Sequence, residues 1–284
     1  MAETSGRADR AATAAEIAAF RDDGAVLLKG VADADGVERL RGALARLRRD
    51  PGPLAEVYGA DGGFYGDRFV WTREADIEDF VRHSPVGLIM AALMAASEVR
   101  LYCDHVLVKE PGTSQRTPWH HDQQAWPIEG EKIASLWLAL DPVTPGNGAV
   151  EYVAGSHRWG KRFRSDTFGR KGVSGETFVQ TAENPYEPCP DIDLERERHR
   201  LLCWDMEPGD AVAFHALTVH GAPGNQSSHI RRAISFRFAG DDVVWHPRTG
   251  PTARLIRDPG LAAGDALGRS DLFPQVWPPA SATP

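Results

Sequence analysis

The sequence predicts an α+β protein with a mainly β core. Two observations carry this: short alternating apolar segments cut by Pro and Gly turns from about Arg100 onward, and helical periodicity ahead of them. Thr13 and Glu16 form a capping-box pattern that opens a short helix carrying Ile17 and Phe20 and ending near Gly24. Ala25 to Leu28 reads as a buried strand, and Val37, Leu40, Leu44 and Leu47 define an amphipathic helix from about Asp35 to Arg49. Ser84-Pro85 marks a further helix start, with serine as cap and proline at the first helical position. The strand candidates are Leu101–Lys109, Ile133–Asp141, Ala149–Val153, Ala211–His215 and Arg232–Phe238, whose short, regular spacing favours a sandwich or barrel over βαβ units. Residues 1–10 and 278–284 read as flexible tails. Between them 11–277 reads as a single domain: a helical lead-in to about 99, a barrel from about 100, and a polar, aperiodic, lid-like insertion at about 161–200.

Composition narrows the function. The longest apolar run, Val86 to Ala96, is far short of the roughly 20 residues of a membrane span. Residues Met1 to Arg10 lack the apolar core of a secretory signal. With 32 Lys and Arg against 40 Asp and Glu the net charge is −8, and no basic tract offers a nucleic acid or an anionic membrane a docking site. Three cysteines without CxxC spacing exclude a disulfide framework and a thiolate zinc site, so a reducing, cytoplasmic setting is expected. Ten histidines leave metal chemistry open.

The densest chemical signal is Trp119-His120-His121-Asp122. On an extended segment His120 and Asp122 share one face while His121 points away. A distant histidine must complete the site, and His220, at a Gly-Pro turn, is the first candidate, with His215 as the second. Two histidines and one carboxylate leave coordination positions open, the ligand set of non-haem Fe(II) oxygenases. Along Arg231 to Phe238, alternation puts Arg231, Ala233, Ser235 and Arg237 on one face and Arg232, Ile234, Phe236 and Phe238 on the other. Arginines among small residues, backed by an apolar face, suit a polar barrel interior that binds an anion through paired guanidinium hydrogen bonds.

These motifs lie within a wider pattern: Phe20-Arg21-Asp22-Asp23-Gly24, Lys109-Glu110-Pro111-Gly112, Pro118 to Asp122, Leu136 to Asp141, Thr144 to Gly148, Gly155-Ser156-His157-Arg158, Gly209-Asp210 and His220-Gly221. In that order they resemble the phytanoyl-CoA dioxygenase family of Fe(II)/2-oxoglutarate-dependent oxygenases, from Phe20 to Phe238. The resemblance implies a double-stranded β-helix (a jelly-roll, cupin-like barrel) with iron at one open end. It implies Fe(II) held by His120, Asp122 and His220, and 2-oxoglutarate as co-substrate with O2. Arg231 matches the arginine that binds the distal carboxylate of 2-oxoglutarate, with Arg232 as runner-up, and Trp137 matches an aromatic position near the co-substrate. Ala222 stands where some members carry a serine that touches the co-substrate. Related halogenases lack the carboxylate ligand, so Asp122 makes hydroxylation the expected outcome and chlorination a departure from it. Epoxidation, desaturation and cyclisation share the same ligand set.

The expected substrate is a small-molecule metabolite. No basic cluster suggests a CoA-sized polyphosphate site, and the final Ala282-Thr283-Pro284 is no peroxisomal address. Arg237, Phe69, Trp71, Gln123 and Trp126 are the candidate substrate contacts. His121 is expected to pack behind the site, His157 and Asp141 to serve turns, and His105 and Lys109 to support the site or the core. Two rival readings are a cupin-like protein holding a metal without redox turnover, and a degenerate family member acting as a scaffold or sensor.

Overall fold

A computed structural model of the chain describes residues 10–58, 62–164, 178–179, 186–248 and 252–279. Residues 165–177 and 180–185 of the lid-like stretch therefore lie outside the described residues, as do positions 1–9 and 280–284 of the two expected tails. Arg10 corrects the first tail at its boundary: its guanidinium donates to Lys29 O at 3.1 Å and to Glu16 at 2.6 Å.

The lead-in is helical. Helix α1 (Ala14–Asp23) has the expected reciprocal cap, Glu16 N–H to the Thr13 hydroxyl at 3.2 Å and Thr13 N–H to the Glu16 carboxylate at 2.7 Å. It ends at Gly24, whose φ of +79° suits glycine. Strand β1 (Ala25–Leu28) leads to α2 (Ala34–Arg49), which buries Val37, Leu40, Ala43, Leu44 and Leu47. Strands β2 (Glu56–Tyr58) and β3 (Phe64–Arg68) follow, then α3 (Ala75–His83) and α4 (Val86–Met94). The periodicity reading passed over α3. Its acidic first turn draws stability from α2, where Arg39 pairs with Asp76 and Asp79 and Arg46 pairs with Glu74 and Asp76. At the start of α4 the Ser84 hydroxyl accepts from Val86 N–H at 3.4 Å, and Pro85 already has helical dihedrals.

The remaining strands are β4 (Val99–Lys109), β5 (Thr117–His120), β6 (Ile128–Glu129), β7 (Ile133–Ala139), β8 (Glu151–Val153), β9 (Phe178–Val179), β10 (Leu201–Leu202), β11 (Ala211–His215), β12 (His220–Ala222), β13 (Arg231–Gly240), β14 (Val244–Trp245), β15 (Thr252–Ala253) and β16 (Gln275–Trp277). An eight-stranded antiparallel sheet runs in the order β1-β11-β7-β13-β4-β3-β2, with β16 paired to β4. A second antiparallel sheet of four strands runs β10-β8-β12-β5.

Alternation gives the large sheet two unlike faces. Leu136, Leu138, Ile234, Phe236, Phe238, Val106 and Val108 form one buried cluster with α2, α3 and α4 residues such as Leu40, Val81, Ile89 and Met90. Each such side chain contributes about 1.5–3 kcal/mol by leaving water. The other face, carrying Leu107, Trp137, Arg231, Ser235 and Arg237, lines a cavity shared with residues of the smaller sheet. The helices thus cover one side of the sheet and leave the other for chemistry.

Candidate metal centre

The cavity opens to solvent and has a volume of about 70 Å³. His120 and His220 enter it from paired positions on β5 and β12, with ring centroids 4.2 Å apart. Gly221 lets the strands approach this closely: a Cβ there would stand 3.0 Å from Trp119 Cδ2 and 3.2 Å from Thr117 O. Asp122 reaches the same point differently from the sequence expectation. Strand β5 stops at His120, and Asp122 adopts helical dihedrals (φ −79°, ψ −38°) at the start of a short 3-10 turn. Its N–H donates to Ala216 O at 2.9 Å, which fixes the turn against the segment entering β12. Asp122 Oδ1 then lies 3.5 Å from His120 Nε2 and 4.0 Å from His220 Nε2. The potential donor atoms of the three residues all lie within 4.8 Å of one another, close enough to bind one divalent cation.

Hydrogen bonds set the form of each ligand. His120 Nδ1 is 2.8 Å from Pro118 O, and His220 Nδ1 is 2.9 Å from Thr218 O. A carbonyl can only accept, so each Nδ1 carries the hydrogen and each Nε2 presents a lone pair. Burial, reinforced by the charge of His120, lowers the His220 pKa to about 4, so its ring is neutral at physiological pH. Burial alone would raise the Asp122 pKa, but the contact with His120 and the Arg237 guanidinium outweigh it and hold the carboxyl below its usual range. The Ser135 hydroxyl donates to Asp122 Oδ2 at 3.2 Å, which leaves Oδ1 for the cation. We expect Ser135→Ala to weaken Mn(II) binding about 10- to 100-fold, measured by calorimetric titration, because it frees the carboxylate to rotate.

The two neighbouring arginines have opposite environments. Arg232 faces away from the cavity and is clamped by Asp141, which accepts from Arg232 Nε at 2.8 Å and from Nη2 at 2.7 Å. Arg231 faces in and is 2% exposed, and its Nε and Nη1 find no hydrogen-bond partner among the described residues. Its guanidinium lies over the Trp137 ring at 5.3 Å from the centroid. Burial lowers its pKa to about 10, so it remains charged at neutral pH with no protein anion in contact. Lys109, its cross-strand partner, is fully buried, donates to Pro223 O, and has its pKa lowered to about 6 by burial and by Arg231.

Three other histidines near the site have a ring nitrogen bonded to their own surroundings. His215 uses both ring nitrogens, Nε2 toward Glu131 O at 2.9 Å and Nδ1 as acceptor from Leu217 N–H at 3.1 Å, which removes it as the distal ligand. His121 Nε2 accepts from Phe163 N–H at 2.7 Å, and His157 bonds Arg21 O at 3.2 Å.

Of the five candidate substrate contacts Arg237 lines the cavity, and of the aromatic cluster Phe64, Tyr65, Phe69 and Trp71, read from the sequence as a possible pocket wall, Phe64 does. Phe69 takes a left-handed conformation (φ 56°) just after β3 and packs in a core cluster with Tyr102 and Trp126. Trp71 belongs to the helix-side core beneath Arg82. Gln123 is fully buried and donates to Gly130 O, and Trp126 packs over the Arg237 guanidinium instead of forming the wall. Beside Phe64 the wall includes Tyr58, Tyr152 and Phe214. Tyr152 stacks on His220 at 5.8 Å and Phe214 lies 4.7 Å from it. The shared face of Val150 and Tyr152 on an alternating segment was the available signal for this wall.

Comparison with known proteins agrees with this geometry. The family model for phytanoyl-CoA dioxygenase matches residues 20–233. A probable phytanoyl-CoA dioxygenase of Caenorhabditis elegans is 30% identical over 131 residues, 46% of this chain and 38% of that protein. The peroxisomal phytanoyl-CoA dioxygenase of Rattus norvegicus is 24% identical over 241 residues, 80% of this chain and 68% of the rat protein. Among solved structures, the non-heme alpha ketoglutarate dependent carbocyclase SnoK from nogalamycin biosynthesis superposes with a TM-score of 0.73 at 23% identity, covering 95% of this chain and 98% of its own. EctD of S. alaskensis, solved with 2-oxoglutarate and 5-hydroxyectoine, gives a TM-score of 0.61 at 21% identity, covering 82% and 78%. The chain belongs to the phytanoyl-CoA dioxygenase family of Fe(II)/2-oxoglutarate oxygenases.

Proposed function

We propose that this protein is a dioxygenase that hydroxylates an unactivated C–H bond of a small molecule, with 2-oxoglutarate and O2 converted to succinate and CO2. One observation carries the proposal: three convergent ligand atoms share a cavity with a buried arginine whose Nε and Nη1 have no hydrogen-bond partner among the described residues. His120, Asp122 and His220 would hold Fe(II), and Arg231, flanked by Trp137, would clamp the distal carboxylate of 2-oxoglutarate. When bound, the iron and co-substrate supply the oxidising power for C–H cleavage. The chain supplies orientation and dryness. The two imidazole Nε2 atoms and the Asp122 carboxylate form one face of the site, while Leu107, Val150, Tyr152 and Phe214 line the cavity with mostly apolar surface and keep water low. Residues 11–277 act as one domain in this proposal. Two antiparallel sheets contributing to one cavity support the jelly-roll reading of its core.

The intact triad and the unpartnered Arg231 count against a non-redox metal binder and against a degenerate scaffold. Incubation with Fe(II), 2-oxoglutarate and O2 should yield succinate that disappears on chelation of the metal. A stoichiometric metal site with no 2-oxoglutarate consumption, across a broad metabolite library, would contradict the proposal.

A further inference from the structure

The cavity continues beyond the triad to a second cationic end that the proposed cofactor chemistry leaves unused. Arg231 and Arg237 lie on the same face of β13, and at ~3.3 Å per residue they stand roughly 20 Å apart along the strand. Arg237 is in register with Ser135, the residue whose hydroxyl holds Asp122, so this arginine flanks the opposite side of the metal centre from Arg231.

Around Arg237 the hydrogen-bond pattern is incomplete. Its Nη2 donates to His105 Nδ1 at 3.0 Å. A guanidinium only donates, so His105 is neutral with its hydrogen on Nε2. That Nε2 and Arg237 Nε are both buried with no partner among the described residues. Arg237 Nη1 has only a long contact to Cys103 Sγ at 3.7 Å, and the Trp126 ring backs the guanidinium at 5.3 Å. Arg68, in register with His105 on β3, has no hydrogen-bond partner at Nε and Nη2 among the described residues and lies 3.8 Å from Glu56. Arg237 and Arg68 are each 8% exposed and His105 is 5% exposed. Burying charged donors without acceptors is costly unless a ligand completes them.

Charge points the same way. Asp104 alternates to the far face of β4, where it accepts from Trp71 N–H, and Glu56 offsets Arg68. Asp122 is the carboxylate on the cavity side, and a divalent metal would claim it. A divalent cation with Asp122, plus a dianionic co-substrate with Arg231, balances to neutrality. The charge of Arg237 then has no counter-ion.

We propose that Arg237, supported by His105 and Arg68, is a substrate subsite for a carboxylate, and that the substrate is a small monocarboxylate anion anchored there with its reacting carbon toward the triad. This rests on the function proposed above and names the substrate class for it. In that arrangement Arg231 and Arg237 divide the cavity between co-substrate and substrate, one anion each.

The test is calorimetric titration of the full chain, saturated with Mn(II) and 2-oxoglutarate so that the Arg231 end is filled. The titrants are butyrate, benzoate and 3-phenylpropionate, each against its carboxamide. At least one acid should bind about tenfold or more tightly than its amide. The preference should vanish in Arg237→Gln and persist, reduced, in Arg237→Lys, which keeps the charge but loses the fork. No preference in the wild-type protein, or a preference that survives Arg237→Gln, would overturn the inference. Failure to bind Mn(II) or 2-oxoglutarate removes the function it rests on, and is told apart because it appears before any acid is added.

Discussion

His220→Ala is expected to abolish stoichiometric Fe(II) or Mn(II) binding and to take 2-oxoglutarate turnover below detection, whereas His215→Ala keeps both. The two residues are five positions apart, His220 buried and His215 half-buried, and both have pKa values lowered to about 4, chiefly by desolvation, so composition and titration do not separate them. Their second ring nitrogens do. His220 spends Nδ1 on Thr218 O and presents Nε2 beside Asp122, while His215 has both nitrogens bonded to its own surroundings. Removing His215 costs the fold two hydrogen bonds, about 1–3 kcal/mol, and leaves the triad intact. Metal retained in His220→Ala and lost in a folded His215→Ala would move the distal ligand.

The second large effect separates adjacent arginines. Arg231→Met should weaken 2-oxoglutarate binding by about thirtyfold or more, since truncating one partner of a buried charge pair costs roughly 2–5 kcal/mol. The same substitution should raise the melting temperature of the metal-free, co-substrate-free protein. Arg231 is a base whose folded pKa is depressed by burial, so its charged form opposes folding at every pH below about 10, including neutrality. An apolar side chain of similar length removes that cost. Arg232→Met should do the reverse, leaving co-substrate affinity within a few-fold and lowering stability by about 1–3 kcal/mol because Asp141 loses its bidentate partner. Thermal melts and 2-oxoglutarate titrations of both variants check the pair of signs. Equal losses of affinity in the two variants would remove Arg231 as the anion clamp.

Much of this was legible because strands carry a period of two. The alternation from Arg231 to Phe238 separated a polar cavity face from a core face, and the structure shows those two faces on β13. The capping box, the Gly24 stop and the stripe of α2 were local signals with local causes. What escaped depends on tertiary partners. Helix α3 carries an apolar stripe of Ile77 and Val81, but it is short and its acidic residues find their counter-ions on α2. Asp122 reaches His120 through a turn and not along a strand, a geometry fixed by Ala216 O from a distant segment. Phe69 and Trp71 looked like pocket aromatics, but the left-handed Phe69 turns the chain into the core. Arg68 and His105 gained meaning only when β3, β4 and β13 brought them beside Arg237.

The central claim is that one metal and one 2-oxoglutarate bind together between the triad and Arg231. Anaerobic calorimetric titration of 2-oxoglutarate into the full chain, with and without Fe(II), tests it most directly. The account predicts one co-substrate per chain, bound tightly only when Fe(II) is present and lost in His220→Ala. Tight Fe(II) binding with no response to 2-oxoglutarate, or co-substrate binding indifferent to the metal, would contradict it.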